Sequence, residues 1–192
     1  MTLRSGTRKA LILETLAAML AQPHAARITT AALADRLGVS EAALYRHFSG
    51  KAAIYMALLD SIEAQLFEDL AHIAATETEG ARRLGRQVHA LLLFAERHPG
   101  HTRVLTGDAL VTEDWQLQVR LGTLIDAIQA ELAASARLAH PALALAADPQ
   151  LAGGLLMHWV SGRWLRYAQT SWQALPTARH AEELALMGLQ MP

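Results

Sequence analysis

The sequence predicts an all-α protein of about nine helices, with a three-helix head at the N-terminus and a larger helical bundle behind it. Three observations lead there. Apolar residues recur at i, i+3 and i+4 along most of the chain, and no run alternates as a strand would. Proline and glycine fall mainly between these periodic segments, where helices end. Residues 28–51, ITTAALADRLGVSEAALYRHFSGK, hold two short helices joined by a tight Leu-Gly-Val turn. That is the layout of a helix-turn-helix, in which one helix braces and the next enters the major groove of DNA.

The elements follow in order. Thr7 can cap a first helix that turns Ile12, Leu16, Met19 and Leu20 inward, with Pro23 past its end. Thr29 and Thr30 stand where the next helix begins, since a hydroxyl there accepts a backbone N–H that has no intrahelical partner. Leu33 and Leu37, at i and i+4, set its apolar stripe beside Ala34. Gly38 supplies the left-handed backbone that stops it. Val39 packs the turn, and Ser40 caps the third helix, whose Leu44 and Phe48 face the core. Glu41, Ala42, Ala43, Tyr45, Arg46 and His47 are left for the other faces. The small side chains at Ser40, Ala42 and Ala43 let this helix end come close to base edges.

A long helix is expected from about Gly50 into the low seventies, carrying Leu58, Ile62, Leu66 and Leu70, followed by a loop at 76–80. Residues 81–97 make another helix, with Leu84, Val88, Leu91 and Leu92 inward, ended by His98-Pro99-Gly100. A shorter helix covers 101–110, and Thr112 starts one that runs to about Leu138. After a connection at 139–148, Asp148 caps and Pro149 opens a helix to Trp172, and Thr177 starts the last. In the helix from 149, Gly153, Gly154, Ser161 and Gly162 are interleaved with Leu155, Leu156, Trp159, Trp164 and Leu165. Glycine inside a helix costs about 1 kcal/mol against alanine, so several in one helix suggest another backbone close by. The expected seam, through Gly154, Leu155, His158, Trp159, Gly162 and Leu165, joins two subunits together with the last helix (Leu184, Leu186, Met187, Leu189).

The net charge of −1 hides a split. Residues 1–51 carry seven basic and three acidic side chains, net +4, and the remainder carries ten basic and fifteen acidic, net −5. A basic head suits a phosphate backbone, and an acidic body discourages non-specific coating. No cysteine is present, which excludes disulfides, thiolate metal sites and a cysteine nucleophile. No stretch reads as a membrane span or a signal peptide, so a cytoplasmic protein is expected. Residues 1–7 read as a short polar arm. No nucleophile–base set, phosphate loop or paired carboxylates stand out, so neither an enzyme nor a cofactor is expected. His98 and His101 flank a Pro-Gly turn without acidic or cysteine partners, which argues against a metal site. His89, Trp115, His158 and Trp159 are the candidates for a small-molecule pocket in the body, although lone histidines on apolar helices are usually satisfied core groups.

Residues 8–60 resemble the DNA-binding domain of the TetR family of bacterial transcription regulators. The family's leucine-tyrosine-x-histidine-phenylalanine run, with a lysine shortly after, stands here as Leu44-Tyr45-Arg46-His47-Phe48 and Lys51. The resemblance implies a DNA-binding domain at 1–51 and a dimerisation and partner-binding domain at 52–192. It implies a homodimer on palindromic double-stranded DNA, in which Thr30, Tyr45, His47 and Lys51 contact phosphates. Glu41 and Ala42, flanked by Ser40 and Ala43, would read bases; a glutamate accepts from cytosine N4, and an alanine methyl packs on that of thymine. A carboxylate at Glu41 equally suits the positive end of the helix dipole.

A second block, FAERHPGHTRVLTGDALVTED at 94–114, together with residues 27–63, resembles the nucleoid occlusion factors of the SlmA type within that family. This resemblance implies a nucleoid-associated protein that antagonises polymers of the division protein FtsZ while bound to DNA, with one or two dimers per site. It places the FtsZ contact at Arg97, beside His98, and on the neighbouring long helix. Arg97 and Arg103 could instead cap helix ends or pair with Glu96 and Asp108. Asp69 stands on the long helix where a basic contact is expected. The alternative is a ligand-responsive repressor of the same fold.

Overall fold

A computed structural model describes residues 5–23, 27–141 and 147–189. Most of the polar arm and residues 142–146 of the late connection lie outside them. Among the described residues there are nine α-helices, one 3-10 turn and no strand. The helices are α1 (Ser5–Leu20), α2 (Thr30–Arg36), α3 (Glu41–Tyr45), α4 (Lys51–Thr76), α5 (Gly80–Arg97), α6 (Pro99–Leu105), α7 (Trp115–Ala139), α8 (Pro149–Gln169) and α9 (His180–Leu186), with the 3-10 turn at Asp108–Leu110.

The predicted apolar faces turn inward. Ile12, Leu16 and Leu20 of α1, the stripe of α4 from Leu58 to Leu70, and Leu84, Val88, Leu91 and Leu92 of α5 share one continuous core. Several helix boundaries differ from expectation, most for a local reason. Thr7 lies inside α1, which is already helical at Ser5. Pro99 opens α6 instead of only ending α5, because its missing N–H costs nothing in a first turn. The segment 101–110 is not one helix: Gly107, at φ 77°, breaks it into α6 and the 3-10 turn. Asp114 caps α7 by accepting from Gln116 N, whereas Thr112 gives its carbonyl to Arg27. α8 stops at Gln169, since Ser171 and Trp172 take positive φ. Thr177 does not start α9 but donates to the Glu96 carboxylate at 2.5 Å, and Arg179 occupies the cap position.

The body is pinned by polar groups as well as by apolar ones. Gln87 is fully buried, yet it accepts from Ser135 Oγ at 2.6 Å and donates to Glu131, which also pairs with Arg83 at 2.9 Å. Arg120 ties α7 to Asp60 and Glu63 of α4. Gln87 and Ser135 have their hydrogen bonds filled, so this buried pair fixes the register of α5 against α7 rather than weakening the core.

The head is gripped by the body. The carbonyls beyond the end of α1 lack intrahelical donors, and two body side chains supply them: Trp172 Nε1 donates to Ala21 O at 2.7 Å, and Arg103 to Gln22 O at 3.2 Å. The Arg103 guanidinium also lies 5.3 Å from the Trp172 ring centroid and pairs with Asp108. Gly100 lets α6 touch α1 directly, because a Cβ there would sit 1.9 Å from Ala17 O.

Candidate nucleic-acid interface and partner surfaces

The helix-turn-helix is built by the caps expected of it. Thr29 Oγ1 accepts from Ala32 N at 3.1 Å, Gly38 takes φ 67°, and Ser40 Oγ accepts from Ala43 N at 3.2 Å. α3 has only five residues, so Leu44 and Phe48 must hold it; both are buried. Glu41, Ala42, Tyr45 and Arg46 are therefore exposed, with Ala43 and His47 half-buried behind them. Tyr45 Oη lies 3.4 Å from Thr30 Oγ1, which brings two of the predicted phosphate groups together across α2 and α3. Lys9 reaches over the Phe48 ring, 5.4 Å from its centroid, and adds a cation that the family motif does not include. Lys51 stands apart from this cluster: its Nζ lies 2.5 Å from the Glu113 carboxylate of the body.

A groove of about 330 Å³ runs between α4 and α5, lined among others by Asp69, His72, Arg86, His89, Arg97 and His98. Glu96, Arg97, His98, His101, Arg103 and Thr106 make up a polar rim at 93–107, and most of them turn away from solvent. Arg103 is buried against α1 and pairs with Asp108, the structural reading open to it in the sequence. Glu96 is taken by Thr177, and its carbonyl by Tyr167 Oη at 3.2 Å. His101 stacks on Phe94 and His98, and burial pushes its pKa down to about 4. Arg97 is exposed and, among the described residues, has no ion-pair partner. His98 and His89 are both shifted below the usual imidazole range, chiefly by burial, with Arg97 adding to it. The groove's guanidinium groups are Arg97 and Arg86, the latter 3.8 Å from Glu77, facing Asp69.

The seam expected on α8 divides into two faces. Gly153 belongs to the chain's own core, where a Cβ would meet Gln129 O of α7 at 2.7 Å. Leu156 and Trp164 are likewise fully buried, and Trp164 Nε1 donates to Leu91 O at 3.1 Å. Leu151, Leu155, His158, Gly162 and Leu165 form an exposed stripe on the opposite side. Gly154 and Trp159 border it, half-buried, with Trp159 Nε1 donating to Glu183. Among the described residues a Cβ at Gly162 would meet nothing within 4 Å, so no contact among them explains that glycine. α9 does not extend the stripe as expected: Leu184 and Leu189 are fully buried, and only Leu186 is open. Val119 and Gly122 of α7, the helix that packs on α8, are exposed as well.

Among the candidates for a body pocket, Trp115 and His158 are exposed, and His89 contacts His180 at 2.9 Å. No helix among the described residues is long and apolar enough to cross a membrane.

Residues 12–58 match the family described as bacterial regulatory proteins, tetR family. Residues 79–191 match the SlmA-like family described as tetracyclin repressor-like, C-terminal domain. The nucleoid occlusion factor SlmA of Alteromonas mediterranea is 36% identical over 180 residues, 93% of this chain and 92% of that protein. The SlmA of Vibrio cholerae is 37% identical over 187 residues, 96% and 95% of the two chains. The transcriptional regulator FadR from Bacillus subtilis, solved in complex with stearoyl-CoA, superimposes with a TM-score of 0.76 over 93% of this chain and 96% of its own. At 13% identity that likeness speaks for the fold alone. Head, body and near full-length identity agree: the chain belongs to the TetR family and, within it, to the SlmA-type nucleoid occlusion factors.

Proposed function

We propose that this protein binds palindromic chromosomal DNA as a homodimer and, from those sites, antagonises FtsZ polymers so that division is blocked over the nucleoid. The head through Lys51 supplies the DNA contacts. Thr30, Tyr45, His47 and Lys51 face phosphates, and Glu41 and Ala42 reach base edges. Ser40, Ala42 and Ala43 keep that helix end slim enough for the groove. Two-fold symmetry of the protein suits a two-fold site.

Tyr45→Ala is expected to weaken binding to specific and unrelated duplexes alike. It should also flatten the salt dependence by about one phosphate contact per protomer, read from affinities over a salt series. An unchanged slope would take Tyr45 out of the phosphate set.

The observation that carries the division reading is the exposed Arg97 at the mouth of the α4–α5 groove, in a chain whose relatives are named as nucleoid occlusion factors. A guanidinium is the better anchor for acidic peptide carboxylates, since it can pair through two N–H groups at once. Asp69 in the same groove subtracts from that attraction, so the contact rests on few charges and should be salt-sensitive.

The test is sedimentation of FtsZ with GTP, with and without this protein and its palindromic DNA. DNA-enhanced loss of polymer is expected. Arg97→Asp should abolish it while sparing DNA affinity; loss of both would mean a damaged fold. Tight DNA binding with no effect on polymer returns the protein to the ligand-responsive repressors.

A further inference from the structure

Between head and body, a carboxylate of the body sits among cations of the head. Glu113 lies between the 3-10 turn and α7, and its side chain is only 7% exposed. Its Oε1 is 2.5 Å from Lys51 Nζ and 3.4 Å from Arg27 Nε, and Arg27 also donates to Thr112 O at 3.1 Å. The two cations are the more open members, Lys51 at 20% and Arg27 at 63% exposure. Tyr55 closes the site behind them, with its ring centroid 5.6 Å from Lys51 Nζ. Burial, with the Glu113 charge, pushes the Tyr55 hydroxyl up to about 12, so Tyr55 adds no negative charge beside Lys51.

We propose that Glu113 is an internal competitor for DNA phosphate, holding Lys51 and Arg27 in the free protein so that a phosphate must share or displace it. The proposal rests on the reading of Lys51 as a phosphate contact. A carboxylate in direct contact with the ammonium takes one of its three N–H groups and cancels most of its field a few ångströms away. The phosphate then meets a nearly neutral pair where the sequence shows a lysine. Because the carboxylate is the buried member of the group, solvent and salt cannot screen it away as they would a surface pair. The head's formal +4 therefore overstates its pull on DNA: the body returns one negative charge to the place where it matters.

The test is a fluorescence anisotropy titration of the full-length protein on its palindromic site and on an unrelated duplex, across a salt series. Glu113→Gln is expected to raise affinity for both duplexes by about ten-fold at 0.1 M salt and to steepen the slope of log affinity against log salt by about one per protomer. Most of that gain should vanish in the background of Lys51→Ala. The slope decides the matter, because a partly unfolded variant loses affinity by the same factor at every salt concentration and keeps its slope. A Glu113→Gln slope equal to wild type overturns the proposal and leaves Glu113 a structural link between head and body. Wild-type protein that binds neither duplex in a salt-dependent way would instead remove the DNA reading of the head, and this proposal with it.

Discussion

Leu155→Asp combined with Leu165→Asp is expected to yield a folded monomer whose affinity for a palindromic site falls by about a hundred-fold or more. Both side chains are near half exposed in the single chain, 49% and 45%, so the substitution removes nothing that the monomer's own core requires. They lie on one stripe of α8 with Leu151, His158 and Gly162, and this stripe is where we place the second subunit. Gly162 strengthens that placement. Gly153 is explained by α7 pressing on it, but Gly162 has open space around it and still forgoes the helix-stabilising effect of alanine. An approach from outside the chain would account for it. Two carboxylates on each copy would bury four charges in a two-fold contact, which apolar surroundings strongly disfavour. Each half-site would then be bound independently, and the gain from linking the two heads would be lost. Sedimentation velocity reads the mass, and titration on full and half sites reads the coupling. A variant that remains dimeric places the interface elsewhere.

Trp164→Ala is expected to cost about 3–5 kcal/mol of stability. Trp164 is fully buried at the centre of the body, and its indole N–H reaches Leu91 O on α5, so it joins α8 to the bundle by both volume and a hydrogen bond. Alanine leaves a cavity that rigid helices on either side cannot close. For a chain of 192 residues, calorimetry should show the melting temperature lowered by roughly 10–15 °C. Trp164→Phe should recover most of that loss, because the ring still fills the space and only the hydrogen bond is missing. A small shift for alanine would mean that the bundle repacks, and that α8 is held chiefly by its contacts with α7.

Much of the head was legible because its determinants are local. A cap needs a hydroxyl three residues before the N–H that it accepts, and a left-handed turn needs a glycine at one position. Thr29, Gly38 and Ser40 meet those conditions within a dozen residues. Asp148 before Pro149 is legible for the same reason. At Thr177 and Arg103 a distant partner had intervened. Thr177 is a good cap by type, but Glu96 lies across the fold and takes its hydroxyl. For Arg103 the pairing with nearby Asp108 was legible, but the carbonyl past the end of α1 and the indole ring that it also meets lie 81 and 69 positions away along the chain.

The helical class, the helix-turn-helix with its exposed Glu41, Ala42 and Tyr45, the family and the inward faces of α4 and α5 were all written in residue type and short-range spacing. Such patterns survive folding because burial selects the same apolar stripe wherever the helix docks. Three features were decided only when the chain closed on itself. The α8 stripe separated into a core face with Gly153 and Trp164 and an open face with Leu155 and Leu165, a division set by where α5 and α7 lie. The polar rim at 93–107 was reduced to Arg97 and its groove, because burial and hydrogen bonds claimed its neighbours. Lys51 acquired Glu113 from 62 positions downstream. Charge, unlike helix propensity, acts through space rather than along the chain, so the counter-charge a cation meets depends on which distant segments are folded against it.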